Sequence, residues 1–183
     1  MQTTLRIWKP AIERLGIENV ICLPEAQECL DFPCDIGSPK EDLEQEPEFA
    51  GLLFDRLTPD WISKTDFWAP DSLSVAKRTK WVRHFLRDRP EKNIVLVAHG
   101  DFLREITCDT NGPSRYMWDQ VEIQIYEFDE ATVEQDECFI KIAEASRQAS
   151  GRMHTLLGRD QIKGITERPS TPGYKPERNG GSL

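Results

Sequence analysis

The first pattern along the chain is a helical repeat of apolar residues near the N-terminus. Between Thr3 and Leu15 the apolar side chains follow one another at intervals of three and four residues, and Gly16 then favours an end. Pro10 lies inside this pattern and is expected to kink or split the helix, because proline lacks a backbone N–H and clashes with the preceding turn.

A second and longer helix is predicted in the middle of the chain. Asp71 or Ser72 can cap it, and Pro90 ends it after about Arg89. The spacing predicts an apolar face opposite a face of Lys and Arg side chains, and the apolar positions are Val75, Val82, Phe85 and Leu86.

Several short apolar runs are typical of strands. Residues 19–23 and 93–98 are continuous runs bounded by Pro24 and Gly100, and the second favours a parallel strand covered on both faces. Residues 121–126 alternate apolar and polar side chains, and residues 139–142 are a candidate pairing partner. Helices alternating with such runs favour an α/β fold with a parallel-rich sheet.

Two other segments lack such periodicity. Residues 24–70 are broken by prolines and glycines and predict a long excursion with one or two short helices, part of which packs down through Trp61, Phe67 and Trp68. Residues 147–183 contain few apolar side chains and carry a net charge of +4. We therefore expect one domain over 1–146 and a disordered basic tail over 147–183.

Composition narrows the class of function. The net charge of −9 argues against binding to nucleic acid, because a polyanion would be repelled. No apolar run reaches the roughly 20 residues that span a bilayer, and no secretory signal opens the chain. Five cysteines without a CxxC pair fit a reducing cytoplasm and structural thiols better than a zinc site. We expect a cytoplasmic protein without a metal, a cofactor or a membrane partner.

His99 is the sharpest candidate for chemistry. It ends the 93–98 run, and the pattern predicts a short helix just after it, capped by Asp101. Ligands of open α/β sheets bind at the carboxyl ends of strands, and a helix start there suits phosphate. An imidazole at this point can donate to a phosphate oxygen, and Gly100 permits close backbone approach. The alternative is a histidine that is only hydrogen-bonded at the end of a strand.

Three segments carry a resemblance to a known family. Residues 93–103, Asn-Ile-Val-Leu-Val-Ala-His-Gly-Asp-Phe-Leu, resemble the second-histidine motif of the histidine phosphatase superfamily, the phosphoglycerate mutase-like proteins. Residues 23–28 and 33–38 resemble the acid-bearing segment of a fungal-type branch, and residues 119–128 resemble its late strand. The resemblance covers about residues 2–130.

The resemblance implies a three-layer α/β sandwich with a mostly parallel sheet, and a phosphatase or mutase acting on a small phosphorylated substrate. Its two-histidine pocket assigns His99 as the histidine that stabilises the transferring phosphoryl group. Glu28 is the first choice for the acid, with burial expected to raise its pKa, and Glu25 is the second choice. Gly100 and Glu25 are the residues expected to contact the substrate.

The chain departs from this family at the nucleophile. No Arg-His-Gly tripeptide is present, and Phe85 stands where the glycine would follow Arg83-His84. The resemblance therefore implies an N-terminally truncated sandwich that lacks the first strand, is unstable as a monomer and is inactive as a phosphatase. The alternative is a non-catalytic domain that binds a phosphorylated ligand or a protein partner.

Overall fold

The computed structural model describes residues 1–146, of which Met1–Ile142 form one compact unit. The predicted N-terminal helix is split into α1 (Gln2–Ile7) and α2 (Lys9–Leu15). Trp8 separates them, and Pro10 lies in the first turn of α2. The expected effect of Pro10 is confirmed, because proline is tolerated in a first turn and not in a helix interior.

The longest helix among residues 1–146 is α4 (Ser72–Arg87), and its start is capped by Asp71. The Asp71 carboxylate accepts hydrogen bonds from the backbone N–H groups of Leu73 and Ser74, both at 3.1 Å. These bonds satisfy two of the donors that every helix start leaves free. The predicted helix and its cap are confirmed.

A core forms where α4 packs against α5 (Gly100–Ile106). Its buried members come from α4, α5 and the turn after residue 23, and they are Ala26, Cys29, Val75, Val82, Phe102 and Ile106. The predicted helix after His99 is confirmed, although its N-cap is His99 rather than Asp101 and makes no side-chain capping bond.

The excursion over residues 24–70 packs into a second core. It contains α3 (Lys40–Gln45) and 3₁₀ turns at Pro24–Ala26, Pro47–Phe49 and Asp66–Trp68; a further 3₁₀ turn precedes it at Ile17–Asn19. Trp61 and Trp68 are buried there among Cys22, Leu43, Leu52, Phe54 and Leu57. The expected packing of these two tryptophans is confirmed, whereas Phe67 is 37% exposed.

The expected three-layer sandwich with a mostly parallel sheet is wrong. Within residues 1–146, helices dominate the regular structure and the sheet has two antiparallel strands, β1 (Tyr126–Phe128) and β2 (Ile140–Ile142). Glu127 lies opposite Lys141 in their register. The expected pairing of residues 121–126 with residues 139–142 is thus confirmed, but of the first run only Tyr126 takes part in the ladder.

The other two predicted strands do not form, because neither has a neighbouring strand to pair with among the described residues. Residues 93–98 make no backbone hydrogen bond within the described part of the chain, and residues 19–23 contribute one parallel bridge, between Ile21 and Leu53. A strand requires a neighbour that pairs with its N–H and C=O groups. The 93–98 run forms no regular secondary structure, and it packs on the core through Leu96 and Ala98 while Val95 is 55% exposed.

Two expectations concern the ends and the membrane. The predicted disordered tail, residues 147–183, lies outside the described residues. Among residues 1–146, no helix combines the length and apolarity needed to cross a bilayer.

Candidate functional site

His99 lies at the boundary between the 93–98 segment and α5. Its backbone is extended, with φ −109° and ψ 159°, and its carbonyl accepts the first hydrogen bond of α5 from Leu103 at 2.8 Å. The side chain is 57% exposed. The backbone of His99 is therefore held by the first hydrogen bond of α5, while its imidazole ring is open to solvent.

Glu28 approaches this imidazole from a different part of the chain. Its Oε2 atom lies 3.9 Å from His99 Nδ1, and its side chain is only 12% exposed. Its other oxygen, Oε1, accepts a hydrogen bond from the backbone N–H of Cys29 at 2.7 Å, which fixes the carboxylate. The structure thus brings together the histidine and the acid that the sequence singled out.

Glu25 lies in the 3₁₀ turn Pro24–Ala26, just before Glu28, and is nearly as buried, with 13% of its side chain exposed. Its Oε1 lies 3.8 Å from Arg56 Nη2, while its buried Oε2 has no hydrogen-bond partner among the described residues. Burial raises the pKa of Glu25, and the charges of Arg56 and Arg78 partly oppose this rise. A raised pKa is the property that a proton donor needs, so Glu25 remains a candidate for the acid beside Glu28.

Arg78 lies beneath this turn, on the buried face of α4. It is 0% exposed, and its Nη2 atom is 3.5 Å from the backbone oxygen of Glu28. Its guanidinium also contacts the Phe102 ring at 5.7 Å from the centroid. The expected Lys/Arg face opposite the core is therefore wrong at Arg78, and also at Arg83, which is 1% exposed.

A second cation, Lys64, reaches the same carbonyl. Lys64 is 9% exposed, and its Nζ atom donates to the Glu28 oxygen at 2.9 Å. Sequence reasoning gave no role to Lys64 or Arg78. A signal existed for Arg78, because it follows Val75 by three residues and precedes Val82 by four, which places it on the core face. None existed for Lys64, whose position depends on the fold of the excursion.

Arg56 borders the site on the far side of Glu25. Its guanidinium lies over the stacked rings of Trp81 and Phe85, at 5.6 and 5.0 Å from their centroids. Two stacked rings hold a planar cation well, since the electron-rich faces attract it. The α4 aromatics thus position the arginine that faces Glu25.

The remaining predicted features are distributed as follows. A Cβ atom added at Gly100 would meet no atom within 4 Å, so the space beside this backbone is open. His84 lies on α4 with Nε2 2.8 Å from the carbonyl of Asp136. A cavity of about 340 Å³ is lined by residues of the excursion, including Lys40, Phe49 and Leu52, and does not include His99.

The described residues contain no cluster of three or more His, Cys, Asp or Glu side chains that could hold a metal ion. Comparison of the chain with protein-family models, curated proteins and solved structures gives no match. The case for function therefore depends on the geometry around His99.

Proposed function

We propose that the chain binds a small phosphomonoester at His99 and Glu28, as its resemblance to the histidine phosphatase superfamily implies, and that it does not hydrolyse the ester. The observation that carries this proposal is the 3.9 Å separation of His99 Nδ1 and Glu28 Oε2. The two residues are distant in sequence, and only the resemblance paired them beforehand.

The charges around the pair suit a phosphate. The exposed His99 ring can donate a hydrogen bond to a phosphate oxygen. Lys64 and Arg78 add two positive charges below Glu28, in a chain whose net charge is −9. A phosphate monoester carries one or two negative charges near neutral pH, so these two cations attract it. A proton must be shared where the phosphate meets the Glu28 carboxylate, because two like charges repel each other.

Hydrolysis requires an attacking group that these residues do not supply. The 183-residue chain contains no Arg-His-Gly tripeptide, and His84 is engaged with the Asp136 carbonyl. Removing a nucleophile costs several orders of magnitude in rate and leaves binding and electrostatics in place. Binding without turnover is the behaviour expected of this site.

Calorimetric titration with phenyl phosphate tests the proposal. We expect saturable binding that is weakened about tenfold or more in His99→Ala, which loses a charge-assisted hydrogen bond to the anion. His84→Ala is the matched control and should bind like the wild type. Equal affinity of the His99→Ala variant and the wild type would refute the proposal.

Release of phenol from the same ester tests the second half of the proposal. The wild-type chain should release phenol no faster than a protein-free control. Turnover that disappears in His99→Ala would contradict binding without hydrolysis.

A second candidate function is binding of a protein partner, which exposed apolar side chains favour. Met117, Val121 and Ile123 are 70%, 66% and 64% exposed. Exposed apolar patches are typical of protein interaction sites, and these three side chains are candidates for one. Titration with phenyl phosphate separates the two candidates, because a chain that binds only a protein partner would show no binding of the ester that depends on His99.

A further inference from the structure

Two buried cations next to Glu28 lack a carboxylate partner. Lys64 and Arg78 are 9% and 0% exposed, and neither has a carboxylate oxygen within 4.0 Å among the described residues. Buried Lys and Arg side chains are almost always paired with a negative charge, because an unpaired charge loses the solvation it had in water. The missing anion therefore calls for an explanation.

The two cations instead share one neutral acceptor. Both donate to the backbone oxygen of Glu28, Lys64 at 2.9 Å and Arg78 at the long distance of 3.5 Å. Sharing one oxygen holds two like charges within about two hydrogen-bond lengths of each other, which is unfavourable in a poorly solvated site. Burial and the charge of Arg78 lower the pKa of Lys64, as this arrangement requires.

Arg78 also has donors with nothing to bind. Its Nε and Nη1 atoms are buried and have no hydrogen-bond partner within residues 1–146. A buried donor without an acceptor costs about 1–3 kcal/mol, so such groups usually meet an ion, a water or a ligand. Arg78 therefore presents unused N–H groups of the kind that hold an oxyanion.

The neighbouring acidic groups form no direct ion pair with Lys64 or Arg78 among the described residues. Burial raises the pKa of the Cys29 thiol to about 12, so this neighbour of Arg78 stays uncharged at neutral pH. Glu28 directs its carboxylate to His99 and to the Cys29 N–H, and Glu25 lies against Arg56. The charge of Asp35 also acts on Lys64, but none of these three carboxylates comes within 4.0 Å of Lys64 or Arg78.

We infer that Lys64 and Arg78 form a cationic floor that takes a tetrahedral oxyanion, the phosphate group of the ligand at His99, as its counter-ion. The inference rests on the proposed function, since one phosphate would contact both the floor and the imidazole. Glu28 separates the buried floor from the exposed ring, so the anion enters beside Glu28 and shares a proton with its carboxylate. With the anion bound, Lys64 donates to a charged phosphate oxygen instead of the neutral Glu28 carbonyl.

Titration of the full chain with inorganic phosphate tests the floor separately from the ester. Affinity and melting temperature are measured for the wild type, Lys64→Met and Arg78→Met, with potassium chloride at equal ionic strength as the reference. We expect phosphate to raise the wild-type melting temperature, and each variant to bind about tenfold or more weakly. Lys40→Met is the matched control, because Lys40 pairs with Glu44 on α3, and it should match the wild type.

Arg78→Met gives a second, independent result. Replacing an unpaired buried cation by an apolar side chain of similar length should leave the melting temperature in chloride unchanged or higher. The same variant should lose the rise that phosphate causes. If this variant fails to fold, Lys64→Met decides alone.

The outcomes separate the floor from the proposed function. Phosphate binding that needs His99 but is unchanged in Lys64→Met and Arg78→Met would overturn the floor and leave the proposed function standing. Binding that needs the floor but not His99 would support the floor and overturn the proposed function. Absence of any phosphate binding by the wild type would overturn both.

Discussion

Phe102 is the side chain whose removal should most damage the support of the site. It is 0% exposed, lies in α5 three residues after His99, and packs in the core with Cys29, next to Glu28 in the chain. Truncating a buried phenylalanine to alanine costs about 3–5 kcal/mol, because transfer energy is lost and a cavity remains. Total stability of a domain is only about 5–15 kcal/mol, so Phe102→Ala should be marginally stable.

Urea unfolding followed by tryptophan fluorescence measures this effect. At a denaturant slope of about 1–3 kcal/mol per molar, the midpoint should fall by about 1 M or more. Phe32→Ala is the matched control, since Phe32 is 59% exposed and its loss should change stability by no more than about 0.5 kcal/mol. A loss in Phe102→Ala no larger than that in Phe32→Ala would refute the claim that the α4–α5 contact stabilises the site.

Three further predictions concern the cap, the exposed surface and the thiols. Hydrogen bonding to Ser74 holds the pKa of Asp71 below its ordinary value of 3.8, so its stabilisation is present above 3.8 and is lost as the pH falls through the lower folded-state value. Asp71→Ala should therefore be less stable in urea at neutral pH, with a difference that shrinks in acid; a constant difference would be inconsistent with this linkage. We expect exposed apolar side chains such as Ile123 to promote association between chains, so Ile123→Lys should reduce self-association in sedimentation velocity, and an unchanged profile would argue against this role. Iodoacetamide near neutral pH should alkylate exposed Cys34 long before buried Cys29, as mass spectrometry would show, and equal rates would contradict the burial of Cys29.

Local signals in the sequence predicted the helices well. The split at Pro10 and the Asp71 cap of α4 each depend on a few adjacent residues, so the sequence states them directly. The apolar spacing of α4 was equally local. The prediction that the arginines of α4 face solvent is wrong at Arg78, because this side chain contacts Phe102 and the Glu28 carbonyl.

The sheet could not be predicted in the same way. The apolar composition of residues 93–98 favours a strand, but no strand forms there. A ladder also needs a partner strand at the right distance and register, and that information lies elsewhere in the chain. Without such a partner within residues 1–146, the run keeps one apolar face on the core and exposes Val95 on the other.

The candidate site was predicted in part. The pairing of His99 with Glu28 was implied by a resemblance between short motifs and not by periodicity. Lys64 was not accessible to this reasoning, since it reaches the Glu28 carbonyl only through the folded excursion, where its backbone has the unusual φ of 55°. Such a conformation is costly for a residue other than glycine.

The imidazole resonances of His99 during a titration with phenyl phosphate test the central claim most directly. We expect a saturable shift of the His99 signals in the wild type, a smaller one in Glu28→Gln, and none at His84. Saturation of the chain with ligand while the His99 signals stay in place, or an equal shift at His84, would contradict the claim that His99 and Glu28 form a phosphate site.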